Sequence, residues 1–164
     1  MEKRISKENY YLDIAETVLE RATCLRRVYG AIIVKNDEII STGYNGAPRG
    51  RANCVDMGYC TREQMKVPRG ERYELCRSVH AEANAIISAS RGDMIGSAMY
   101  LCGRNLPGGE YVENPCCCSM CKRMVINAGI KKVIVRLTDT DYRIFDVQEE
   151  WVNGDASLEI EGSY

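Results

Sequence analysis

The chain has 164 residues, 45% of them hydrophobic and 27% charged, with a formal net charge of −1. That length and balance predict one domain spanning 1–164 with a real core, and exclude the strong basic excess of a protein that lives on a nucleic-acid polymer. The charged start at Glu2, Lys3 and Arg4, and the absence of any apolar run near the ~18 residues of a membrane span, predict a cytoplasmic protein with neither leader nor membrane association.

Tyr11, Ile14, Ala15, Val18, Leu19 and Ala22 recur at helical spacing and predict a helix over 9–23, capped by Ser6 or Asn9. Ala31–Val34 and Ile39–Thr42 read as strands joined by a hairpin turn at Asn36 and Asp37. A loop marked by glycine and proline follows over 43–50. Residues 51–78 are polar and carry no period; so long an irregular stretch inside a domain is more often functional or metal-bound. A helix is predicted over 80–90, a strand over 98–102 and a loop over 103–117. A second helix over 118–128 stops at Gly129, and Val133–Val135 is a buried strand. The last thirty residues are mixed, with Trp151 as packing anchor. Helix, two strands, helix, strand, helix, strand is the order of an α/β layered domain.

Nine cysteines and one histidine stand out. In a cytosolic chain an odd cysteine count favours thiolate–metal chemistry over disulfides. Zinc takes nitrogen and sulfur ligands in a tetrahedron, and a catalytic site leaves one position open for water. His80, Cys118 and Cys121 supply three ligands, each at the start of a predicted helix, where dipole and free amides favour thiolates. Glu82, two residues after His80, is no ligand; it is placed to take a proton from the activated water and pass it to a base. Histidine-x-glutamate alone is weak and Cys-x-x-Cys alone is moderate, serving equally a structural zinc or a redox pair. Both together, in this order, are the stated pattern of zinc deaminases.

The wording around these residues narrows the resemblance. Gly30–Val34, Ser41–Pro48, Val79–Ile86, Cys118–Arg123 and Ile126–Ile130 together resemble the deoxycytidylate (dCMP) deaminase family of the cytidine deaminase-like superfamily. The resemblance implies a three-layer α/β/α fold with a mixed central sheet. It implies a hydrolase that turns dCMP into dUMP and ammonia, with zinc on His80, Cys118 and Cys121 and Glu82 as proton shuttle. It places the backbone of Ala81 near the pyrimidine carbonyl and Asn45 at the deoxyribose. It implies a homo-oligomer, often a hexamer, and in some members allosteric control by dCTP and dTTP with Mg2+ on the triphosphate. The family carries proline before the first cysteine of the pair; here Cys117 stands there, and the proline is Pro115. The loop over 103–114 is longer than in the commonest members.

Cys24, Cys54, Cys60 and Cys76 remain. Some relatives hold a second, structural zinc near the early cysteine, and four thiolates would order 51–78; as small buried hydrophobes they need no metal. A phosphate needs fixed cations. Arg26 is the first choice, and Arg91 is a candidate for a neighbouring subunit or nucleotide. Three functions are compatible with the residues: a dCMP deaminase, a deaminase of another cytosine compound or base, and a non-catalytic zinc-stabilised nucleotide-binding module.

Overall fold

A computed structural model describes residues 3–154. Helix α1, Lys7–Leu19, starts where Ser6 Oγ accepts the Asn9 amide at 3.2 Å, and buries Tyr11, Leu12, Ala15 and Leu19. It is offset from the predicted 9–23. The chain tightens at its end, with the Ala22 amide on the Leu19 carbonyl at 2.9 Å, so Ala22 packs beyond the helix rather than on it.

Strands β1, Arg27–Lys35, and β2, Glu38–Tyr44, form the predicted hairpin. Asn36 (φ 51°) and Asp37 (φ 62°) both take left-handed backbone, the type I′ geometry that matches strand twist. Asp37 also accepts from the Tyr11 hydroxyl at 2.6 Å, which ties α1 to the turn. The 51–78 stretch carries two one-turn helices, α2 (Cys54–Met57) and α3 (Thr61–Gln64), and a 3-10 turn over Tyr73–Leu75. Then come α4 (Ala81–Ile87), α5 (Arg91–Met94), β3 (Ala98–Asn105), α6 (Ser119–Ala128), β4 (Lys132–Arg136), β5 (Tyr142–Asp146) and a π-helical turn over Val147–Val152.

The sheet order is β2-β1-β3-β4-β5. Only β3 and β4 are parallel, and α6 makes the crossover between them; the other pairs are antiparallel, so the sheet is mixed, as the resemblance implies. Alternation along β1 divides the core. Ile32 and Val34 face α1, while Ala31 and Ile33 face α4 and α6, giving three layers. Trp151 is buried on the α6 side, 5.7 Å from the Phe145 ring and 5.4 Å from Lys122 Nζ, and anchors the chain end as expected. On the other face, buried Arg136 is neutralised by Asp13 and Glu16, each at 2.7 Å, which pins α1 to β4.

Three elements differ from the sequence reading. The helix predicted over 80–90 is broken after Ile87, and Ser90 caps a separate α5. Strand β3 continues through Gly103, Arg104 and Asn105, so the loop begins later than position 103. Strand β5 was not read at all: it is an edge strand with one buried position, Phe145, and shows no clean period.

Two glycines set how closely the helices lie on the sheet. A Cβ at Gly30 would stand 2.1 Å from the Ala15 carbonyl oxygen of α1, and one at Gly43 would stand 2.4 Å from both the Ala81 carbonyl oxygen and the Ala85 amide of α4. Backbone meets backbone at both places, with no flexible side chain to give way. Gly43→Ala is therefore expected to cost about 3 kcal/mol, the upper end for an overpacked core, and to lift α4. Chemical denaturation measures the loss; a change under about 0.5 kcal/mol would show that the helix is not seated on this glycine.

Candidate metal centre

Helices α4 and α6 begin at the same place. His80 is the N-cap of α4 and Cys118 the N-cap of α6, both in extended backbone, and Cys121 lies in the first turn of α6. His80 Nδ1 lies 3.4 Å from Cys118 Sγ and 3.5 Å from Cys121 Sγ. The three ligand atoms lie within 4.8 Å of one another, and all three residues are buried. A tetrahedral zinc with Zn–N near 2.05 Å and Zn–S near 2.3 Å sets its nitrogen and sulfur ligands about 3.6 Å apart. The observed spacing and donor set fit that ion.

The sulfurs are unequal. The hydrogen bond from Cys121 holds Cys118 down to about 4, against burial and with help from His80. The same pairing, with burial, pushes Cys121 up. Two sulfurs sharing one proton form a site where a divalent cation replaces that proton. The neighbouring thiols behave otherwise. Burial pushes both Cys116 and Cys117 up, and they pack in the core. Within the run Cys116-Cys117-Cys118, it is Cys118 that the geometry brings to His80 and Cys121. Glu82 lies in the first turn of α4 and is fully buried, and after burial its charge is the next cause that pushes the Cys117 thiol up.

A narrow cavity of about 50 Å³ opens beside His80, lined by Asn45, Arg26, Arg27, Arg62, Tyr73 and Ser78 among others. Asn45 is first a clamp: its Nδ2 donates to the Arg27 carbonyl at 2.9 Å and its Oδ1 accepts the Tyr29 amide at 2.7 Å. Arg26 pairs with Glu63 at 2.9 Å. The 103–114 loop does lie at this mouth: the Leu106 amide donates to the Arg26 carbonyl at 2.8 Å, and Asn105 accepts from Arg27 Nε at 2.9 Å. Arg91 is elsewhere. Its Nε donates to the Asn127 carbonyl at 2.9 Å, in a groove between α5 and α6.

The four early cysteines are brought into one neighbourhood, close enough for Cys54 to sense the charge of Cys24, Cys60 and Cys76. They do not reach ligand spacing: among the described residues, His80, Cys118 and Cys121 are the one set of three that does. Sequence reasoning missed Tyr73 and Arg62. The Tyr73 ring meets the His80 ring edge-on at 5.4 Å, and Arg62 lies over Tyr73 at 4.7 Å. Neither residue carries a motif, and only the folding of 51–78 brings them here.

Residues 5–137 match the cytidine and deoxycytidylate deaminase zinc-binding region. The chain belongs to this family. Members of this deaminase family with similar sequences include a deoxycytidylate deaminase of Mycobacterium phage D29, 34% identical and covering 77% of this chain and 91% of its own length. Another, from Schizosaccharomyces pombe, is 31% identical over 80% of this chain, but the match spans only 37% of that longer protein. Among solved structures, the dCMP deaminase of cyanophage S-TIM5 in complex with dCMP and dUMP superposes with a TM-score of 0.53 at 24% identity, covering 98% of both chains. A cytidine deaminase from Burkholderia pseudomallei superposes with a TM-score of 0.57 at 19% identity, covering 88% of this chain and 95% of that one. At those identities the structures establish the shared deaminase fold.

Proposed function

We propose that this chain hydrolyses dCMP to dUMP and ammonia, as a single deaminase domain over 1–164. The observation that carries this is the convergence of His80, Cys118 and Cys121 with a fully buried Glu82 beside them, in a family of zinc-binding deaminases. Zinc on the three ligands supplies Lewis-acid activation of water. Glu82 takes one proton from the water as its oxygen bonds to C4 and delivers it to the ring nitrogen N3; it then takes the second proton from the new C4 hydroxyl and passes it to the amine, so that the C4–N bond breaks and a C4 carbonyl remains. One water is consumed and one ammonia leaves. The Ala81 amide, at the positive start of α4, donates to the base carbonyl. The second N–H of Asn45 reaches the deoxyribose, and Arg26 faces the phosphate. A carboxylate buried beside the metal ligands has no use in a non-catalytic zinc module, which favours the enzyme.

The test is ammonia release by zinc-loaded protein from dCMP, deoxycytidine and cytidine, with and without dCTP. Turnover of dCMP is expected, and its loss in Glu82→Gln. Turnover of unphosphorylated compounds alone would move the assignment to another cytosine deaminase, and none at all would leave the binding module.

The same proposal extends to regulation and assembly. A cavity of about 530 Å³ over the 43–50 loop is lined by Arg21, Arg49 and Arg51 and by no carboxylate. That chemistry suits a dCTP or dTTP effector with its Mg2+. Ile87 (71% exposed), Ile95, Met120 and Met124 leave apolar surface on the α4–α6 side, beside Arg91, as a homo-oligomer would require. We place its action in the cytoplasm; separately, no helix among the described residues is long and apolar enough to cross a membrane.

A second, structural zinc on Cys24, Cys54, Cys60 and Cys76 is supported by the gathering of the four thiols, close enough for Cys54 to sense the charge of the other three, and by the Arg26 amide, which donates to Cys24 Sγ at 3.4 Å. Closing the site requires the sulfurs to move to ligand spacing. Metal analysis is expected to find a second equivalent of zinc that is lost in Cys54→Ser; a single equivalent, unchanged by that substitution, removes the idea.

A further inference from the structure

Arg62 is 5% exposed, yet among the described residues no carboxylate pairs with it. The neighbouring acid Glu63 is engaged by Arg26, and Glu74, whose carboxyl the charge of Arg62 helps to hold down, is paired with Arg72. Its terminal nitrogen donates to the Pro68 carbonyl at 3.0 Å and to the Glu71 carbonyl, while its Nε, like that of Arg136, is buried with no partner. Arg136, the other buried arginine, shows what such a group ordinarily receives, namely two carboxylates at 2.7 Å. A buried guanidinium facing only dipoles and a ring is costly unless an anion comes to it. Arg62 lines the same cavity as His80 and reaches it through one ring, lying 4.7 Å over Tyr73, which meets His80 at 5.4 Å. That cavity is too small for a nucleotide as it stands, so its walls, the 60–78 segment with Arg62 among them, have to part for one.

We propose that Arg62 is a substrate-binding residue that takes the 5′-phosphate, and so makes this site select a nucleoside monophosphate over the nucleoside. The inference rests on the dCMP reading above. It adds a cation from the irregular 51–78 segment to a site otherwise built from α4, α6 and the β-strand ends. Its planar fork suits two phosphate oxygens at once, and its two carbonyl contacts hold the fork in place before the ligand arrives. Neutralising the nearby thiols of Cys60 and Cys76 is the competing role, and the same experiment separates the two.

Steady-state kinetics are measured for zinc-loaded wild type, Arg62→Gln and Arg62→Lys on dCMP and on deoxycytidine, with zinc content determined for each. Arg62→Gln is expected to raise KM for dCMP about a hundredfold, as removal of one member of a buried charge pair does, with kcat changed only a few-fold. The effect on deoxycytidine should be far smaller, and Arg62→Lys should recover part of the dCMP loss. Equal losses on both substrates, or loss of zinc together with both activities, would overturn the proposal. If a variant turns over neither compound, calorimetry compares dUMP with deoxyuridine, and an undiminished preference for dUMP would equally overturn it. A wild type inactive on dCMP would instead refute the function itself, and the same series shows which has failed.

Discussion

Glu82→Gln is expected to retain zinc and to lose deamination by about 10²–10⁴-fold, the span that a positioned acid–base group contributes. The substitution keeps the size of the side chain and removes its ability to carry a proton. Glu82 is fully buried in the first turn of α4, two residues beyond the His80 imidazole, so it is held by the helix rather than by a mobile loop. Metal content and thermal stability should therefore stay close to wild type while turnover collapses. A variant with normal zinc and more than a tenth of wild-type turnover would mean that another group moves the proton. Loss of zinc in the same variant would mean that the carboxylate had been a ligand after all.

His80→Ala carries the other large effect. The chain has one histidine, so no second imidazole can take its place. Removing it leaves two buried sulfurs at the start of α6, too few donors for a stable three-ligand zinc site. Zinc should fall to background, and activity should become undetectable. Stability should fall as well, because a ligand present at a thousand times its dissociation constant adds about 4 kcal/mol to the folded state. In a domain of this size that corresponds to roughly 10 °C in melting temperature. Chelation of the wild type should reproduce the thermal shift, and chelation of His80→Ala should add nothing. An active His80→Ala protein would overturn the metal assignment.

The metal centre was legible in the sequence because its parts are local. Two helix starts each place their ligands within a turn, and a spacing of two or three residues survives any uncertainty in element boundaries. The layers were legible for a related reason, since β1, β3 and β4 are buried and apolar enough to stand out, whereas the mixed sheet was expected from the family resemblance alone. What escaped depends on contacts between distant residues. Phe145 is the one buried position in β5, and its pairing with Val133 exists only once β4 is in place. Arg91, a candidate for nucleotide contact by resemblance, is held to Asn127 in a groove that His80 does not line. Arg62 and Tyr73 belong to a segment with no period at all, where tertiary contacts decide the position of every side chain.

The seating of α4 on Gly43 has a bearing on how the protein can change. One side of that helix is in backbone contact with the sheet, while Ile87 on the other is 71% exposed. Substitutions on the outer side can alter what the surface binds without moving the imidazole or the carboxylate at the helix start. A side chain added at position 43 shifts both together. Evolution can therefore vary the outer surface of such a domain widely while its chemistry is held by a single missing methyl group.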